Sequence, residues 1–223
     1  MRVLTPVHKR SLVDAVCEKL REEIITGHLA PGEKLVEEVL ARQMNTSRGP
    51  LRSAFLRLAH EGLVIIRQNR SVTVVRLTRR DVEEIHSLRL MLETMAVRRF
   101  CSDGNAEDLA KLDGIEHVLL DSVDHGGPLP ENVKRDLSFH EALVGAGHHR
   151  RLLAAWQGMR SQIGLLIYSR SVGNVGPFSQ GVARHRELTQ GMAARDGART
   201  EVVLREHLES LRDWALERFG DEE

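Results

Sequence analysis

Apolar side chains recur at helical spacing from residue 12 onward. In "SLVDAVCEKLREEIITG" Leu12, Val16, Leu20 and Ile24 return every four residues, and the run stops at Gly27 before the breaker "APG" at 30–32. This is the pattern of an amphipathic helix closed by glycine. "LVEEVLARQM" predicts a second, shorter helix that ends near Asn45. A third follows: Thr46 and Ser47 offer N-cap hydroxyls, Pro50 sits in the first turn where its missing N–H costs little, and Leu51, Phe55, Leu58 and Ala59 mark the buried stripe. After Gly62 the pattern changes. "LVIIRQNRSVTVVRL" is rich in β-branched residues and is interrupted by the turn-like "QNRS", which predicts a β-hairpin of two short strands. Three helices and a hairpin make a winged helix-turn-helix, assigned to residues 1–77.

From Thr78 onward the helical period continues without a strand pattern. Helices are predicted at about 79–101, 105–124, 130–146, 150–171, 179–194 and 198–218, with "DHGGPLP" and "SVGNVGPFS" as the clearest loops. Residues 78–223 therefore read as an all-α antiparallel helical bundle. The fold class is mostly α.

Composition adds two points. At 223 residues and 41% hydrophobic content the chain is long enough to bury two modest cores. Lys+Arg and Asp+Glu balance at 32 each, but residues 1–78 carry 13 basic against 8 acidic side chains and residues 79–223 carry 19 against 24. A basic amino-terminal part is the electrostatic footprint expected of a nucleic-acid reader. Aromatics are only 4%, which argues against a single-strand binder built on stacking platforms. Cys17 and Cys101 lie far apart in helical contexts, so neither a disulfide framework nor a thiolate zinc site is supported. No stretch resembles a signal peptide or a membrane span. The expectation is a soluble, cytoplasmic protein.

The start of the third helix carries the first candidate chemistry. In a helix-turn-helix the second helix of the pair enters the major groove by its amino-terminal end, where side chains reach base edges and free backbone N–H groups meet phosphate. Arg48 and Arg52 share that end one turn apart, and a guanidinium pairs bidentately with a guanine edge. Thr46 and Ser47 suit phosphate contacts, Gly49 permits close approach, and Arg70 on the wing tip is placed to reach an adjacent groove or the backbone. On an isolated helix two arginines would read as merely solvated; the helix–helix–hairpin context favours the DNA reading.

The bundle carries the second. The face Val133, Asp136, His140, Leu143, Val144 sets a carboxylate and an imidazole four residues apart among buried-type residues. Val182, His185, Leu188 and Met192 present a histidine in the same way, as do Thr200, Val203, Leu204, His207, Leu211 and Trp214. Taken singly, each reads as a core histidine satisfied by a hydrogen bond. Together they would bury three imidazoles and a carboxylate, at a cost a divalent metal resolves. The oxygen and nitrogen set suits zinc, nickel, manganese or iron.

Residues 12–76 closely resemble the DNA-binding domain of the GntR family of bacterial transcription regulators. The resemblance is carried by the "G-x-L-x-P-G-x-x-L" loop, the "S-R-x-P-x-R" opening, the "L-x-x-E-G-L-V" helix end and the "N-R" wing. It implies that Ser47, Arg48, Arg52, Asn69 and Arg70 touch operator DNA. Gly49 stands where the family usually has threonine, Ser53 where it often has glutamate, Ser71 where the wing usually has glycine, and Glu38 where some relatives place a DNA-contacting arginine. These departures bear on the operator sequence and not on the mode of binding.

Residues 79–218 resemble the FCD domain of one branch of that family, through "D-x-x-F-H" at 136–140, the "H-R-E-L" histidine and the later "E-H-L" histidine. The resemblance implies Asp136, His140, His185 and His207 as metal ligands. Through "LR-x-x-LE" (Leu88, Arg89, Leu92, Glu93) it implies Arg89 beside an anionic effector, with Arg160 a further candidate. His148 and His149 in "GAGHHRRL" are expected in a solvent-facing loop without a metal role.

The function these features imply is a ligand-responsive transcription regulator, a repressor, that binds double-stranded operator DNA as a homodimer and takes a small organic acid as effector. A metal-dependent hydrolase with a DNA-binding appendage and an architectural DNA-binding dimer without effector are the alternatives. Against the hydrolase, nothing beside the four ligand residues offers an evident general base or nucleophile. No enzyme activity is expected.

Overall fold

A computed structural model describes residues 12–68, 71–172 and 176–221, and the chain divides into two compact units, Met1–Val75 and Arg76–Glu223. In the first, α1 (Leu12–Ile25) buries Val16, Cys17, Leu20 and Ile24. It leaves the helical path through Gly27, whose positive φ of 75° suits a residue without a Cβ. α2 (Glu37–Gln43) and α3 (Arg48–His60) follow, with Leu51, Ala54, Phe55 and Leu58 of α3 essentially inaccessible. Truncating one such leucine to alanine costs ~2–5 kcal/mol through lost transfer energy and the cavity left behind. The Arg21 guanidinium grips both oxygens of Glu61, at 2.7 and 2.6 Å, and so ties α1 to the end of α3.

The predicted hairpin forms from β2 (Val64–Ile66) and β3 (Val72–Val74), paired antiparallel with Ile65 opposite Thr73. A third strand, β1 (Lys34–Leu35), joins the other edge of β3, giving the order β1-β3-β2. Two residues are too few to show an alternating pattern, so β1 is invisible to periodicity. A second difference concerns α3. Ser47 occupies the N-cap in extended conformation, but its side chain makes no cap hydrogen bond. The Thr46 hydroxyl also has no partner among the described residues.

Among the described residues the second unit forms six helices: α4 (Arg79–Asp103), α5 (Ala106–Asp124), α6 (Leu129–Ala146), α7 (Arg150–Ser171), α8 (Gly176–Ala193) and α9 (Gly197–Leu216). Thr78 and Asp81 form a capping box that starts α4. Asn105 and Asp196 cap α5 and α9 with their side-chain oxygens. α4 packs against α6, α7 and α9, α5 lies between α6 and α8, and α8 also meets α9. The last contact needs Gly191: a Cβ there would stand 2.3 Å from Thr200 Oγ1. That close approach brings the histidine faces of α8 and α9 together.

Candidate functional site

At the front of α3, Ser47, Arg48, Gly49 and Arg52 are all exposed, while the opposite face of the helix is buried. A side chain at position 49 would meet nothing nearer than Ser47 Oγ at 4.0 Å. The glycine therefore leaves surface open and serves no packing need inside its own unit. The two arginines are not bare. Arg48 Nη2 donates to Glu38 Oε2 at 3.2 Å, and Arg52 Nε donates to Glu37 Oε2 at 2.9 Å. Both pairs lie in solvent at the α2–α3 junction, where such pairs contribute ~0.2–1 kcal/mol. They exchange easily for a phosphate or a base edge. Thr46, with its amide held by the Ala41 carbonyl, closes the turn between the helices. Asn69 and Arg70 of the wing lie outside the described residues.

In the bundle, the Asp136 and His140 side chains emerge one turn apart from α6, both buried. His185 of α8 is fully buried and stacks on the Phe139 ring, centroids 4.1 Å apart. His207 of α9 is partly exposed. His140 Nε2 lies 3.1 Å from His207 Nε2 and 3.2 Å from His185 Nε2. Asp136 Oδ1 lies 3.4 Å from His185 Nε2. The four side chains expected to gather thus do gather, although His185 and His207 are 45 and 67 residues from His140.

Glu93 of α4, wholly buried, organises one side of this cluster. Its Oε2 accepts from His140 Nδ1 at 2.8 Å, and its Oε1 accepts from Arg89 Nε at 2.7 Å and Trp156 Nε1 at 2.9 Å. Burial alone would raise this carboxyl, but the Arg89 guanidinium and the His140 ring outweigh it and hold Glu93 far below the usual carboxylate range. Glu93 is thus an anion. An anion only accepts, so His140 donates from Nδ1 and turns Nε2 toward the rings of His185 and His207.

His185 and His207 approach that same nitrogen through their own Nε2 atoms. Their outer Nδ1 atoms have no partner among the described residues. Burial first, and then the neighbouring imidazole charge, push both rings well below their ordinary pKa, so they are neutral and offer lone pairs. Burial raises the Asp136 carboxyl, against the pull of His140 and Arg89. Three imidazole nitrogens converging on one point, with the Asp136 carboxylate beside His185, are a cation's donor set. With metal–nitrogen bonds of ~2.0–2.1 Å, neighbouring ligands around a tetrahedral ion stand ~3.3 Å apart. The observed 3.1, 3.2 and 3.4 Å separations bracket that value.

Beside the cluster is a small cavity of about 30 Å³, lined by Arg89, Asp136, Arg170, Ser171 and His207 together with apolar residues of α7, α8 and α9. Arg89 is thus on the wall of this cavity. Arg160 does not line this cavity; it is part-buried on α7 and donates to Glu141 Oε2 at 3.1 Å. His148 is exposed and pairs with Asp108, and His149 accepts from the Leu152 amide at the start of α7. Two contributors escape sequence reasoning. Glu93 is visible only as part of "LR-x-x-LE", because its partner is 47 residues away. Arg170 is a lone cation after the apolar "GLLIY", and that break was its one signal.

Residues 12–74 match the bacterial regulatory proteins of the gntR family, and residues 84–210 match the FCD domain. The chain belongs to the GntR family, in its FCD-bearing branch. The HTH-type transcriptional regulator BphR of Paraburkholderia xenovorans is 30% identical over 213 residues, covering 90% of this chain and 84% of that protein. The HTH-type transcriptional repressor GlaR of Escherichia coli is 29% identical over 195 residues, 85% of this chain and 89% of its own. The fold also matches the solved structure of E. coli McbR/YncC, with a TM-score of 0.76, 23% identity, and 93% and 98% of the two chains covered. This GntR protein is a DNA-binding transcription regulator and not an enzyme, which sets aside the hydrolase alternative. No helix among the described residues is long and apolar enough to cross a membrane.

Proposed function

We propose that this GntR regulator is a metabolite-responsive repressor whose FCD bundle holds a divalent metal and a small organic acid. Residues 1–77 would carry the DNA-reading function, and residues 78–223 effector binding and dimerisation. The observation that carries the reading is the convergence of Asp136, His140, His185 and His207, with Glu93 orienting the ring of His140. Such a carboxylate–histidine–metal relay holds the tautomer that a metal requires. Zinc, nickel, manganese and iron all accept this donor set. The repressor reading is supported by relatives that carry that name.

On the DNA side, Arg48 and Arg52 read base edges in the major groove, Thr46, Ser47 and the open surface at Gly49 meet the phosphate backbone, and the wing residues Asn69 and Arg70 reach an adjacent groove. One such head covers a half-site, so a two-fold dimer is needed to read a palindrome. α4 offers a face for it: Leu88, Met91 and Met95 recur at spacings of three and four and remain 46%, 62% and 49% exposed. The effector acts only to the extent that its affinity differs between the DNA-competent and incompetent arrangements.

Metal analysis of protein purified without affinity tag or chelator tests the reading. About one ion per chain is expected, with loss of that ion from His185→Ala and His207→Ala. Chelation should lower thermal stability by the linkage term, ~2.7 kcal/mol when free metal stands at a hundred times its Kd. Metal-free protein with undiminished stability would refute it.

A further inference from the structure

We infer that the cavity beside the imidazole cluster selects a dianion, a short-chain dicarboxylate, and that Arg170 is the residue that imposes the second negative charge. The inference rests on the metal-and-acid reading above, and its carrying observation is a charge imbalance. Of the two guanidinium groups on the cavity wall, Arg89 is neutralised by Glu93 at 2.7 Å. Arg170 is not balanced in this way. Its Nη2 donates to the neutral Ser210 hydroxyl at 2.8 Å, and its Nε is buried with no acceptor among the described residues. Burial depresses its pKa, and no ion pair to it forms among the described residues.

Arg89 contributes a second orphan donor. Its Nη2 is buried without a partner, although the residue is only 4% exposed. The protein thus sets aside two buried N–H donors on one small cavity, at a cost comparable to lost hydrogen bonds. A ligand that supplies oxygens to both recovers it.

The charges fix the class of that ligand. Asp136 and a divalent ion together leave one positive charge, which one carboxylate answers. Arg170 leaves another, which the single charge of a monocarboxylate already held at the cluster does not neutralise. A second carboxylate can, and a guanidinium pairs with it through a charge-assisted hydrogen bond. The cavity's size excludes long acyl chains, and the apolar wall of Ile167, Phe178 and Leu211 accommodates a short carbon skeleton. Arg170 ends α7 and touches Ser210, one turn beyond His207 on α9, so a dianion would bridge α7 to the helix that carries the cluster.

The test compares L-malate with L-lactate, which share a 2-hydroxy acid end and differ in the second carboxylate, and malonate with acetate. Titration calorimetry on metal-loaded full-length protein should show each dianion binding at least about tenfold more tightly than its monoanionic counterpart, because a donor set built for an absent group penalises its loss. In Arg170→Gln that ratio should fall to near unity, and in Arg170→Lys, which keeps the charge without the planar fork, to an intermediate value. Equal or absent binding of dianions and monoanions, or a preference that survives Arg170→Gln, overturns the inference. Metal content measured on the same samples separates the two layers: loss of the ion in wild type indicts the metal reading, whereas a full complement of ion without dianion preference indicts Arg170 alone.

Discussion

Arg48 and Arg52 at the head of α3 are exposed and already paired with carboxylates, whereas the imidazoles of α6 and α8 are buried, that of α9 is half-buried, and the three face one another. The difference lies in what each group loses on changing partner. An exposed guanidinium trades Glu37 or Glu38 for a phosphate through water, at little net cost either way. A buried imidazole has no water to fall back on, so a ring nitrogen without a protein partner costs far more than an exposed one. The first arrangement suits reversible reading of a polyanion, the second the retention of one ion.

Three substitutions would break or sharpen this contrast. The largest effect is expected at Glu93→Ala, which strands the buried Arg89 and removes the acceptor of both His140 and Trp156. Breaking a buried pair in this way costs ~3–5 kcal/mol, read as a lower denaturation midpoint for the bundle, and a stability change below about 1 kcal/mol would show that Glu93 behaves like a surface residue. Next comes Arg48→Ala, for which a lost bidentate base contact removes ~1–3 kcal/mol of discrimination. Anisotropy titration at physiological salt should show specific operator affinity approaching the non-specific level, and unchanged affinity would discard the groove assignment. The smallest is Glu38→Gln. Freeing Arg48 from a pair worth ~0.2–1 kcal/mol should tighten DNA binding by no more than a few fold, with a steeper salt dependence as repulsion from the phosphates is removed. Weaker binding in this variant would mean that Glu38 positions Arg48 for the groove.

Much of this was legible in the residues because it is local. The spacing of Asp136 and His140 puts both on one face of α6 whatever surrounds it, and the same holds for His185 among Val182, Leu188 and Met192. What escaped is non-local or too short. β1 is two residues long, Glu93 meets His140 across 47 positions, and Arg170 joins Arg89, Asp136 and His207 on one cavity only once the helices have packed. Ser47 takes the N-cap position its residue type suits, but its hydroxyl makes no cap hydrogen bond.

The order of helices and strands, the faces they bury and the residue types offered on each face follow from the chain itself, because periods of 3.6 and 2 are properties of neighbouring residues. The tertiary structure alone decided that three imidazoles from three helices share one point, that Glu93 faces His140, and that Arg48 and Arg52 meet Glu38 and Glu37. Those distances depend on how close whole helices can approach, as at Gly191 against Thr200, and no periodicity records that.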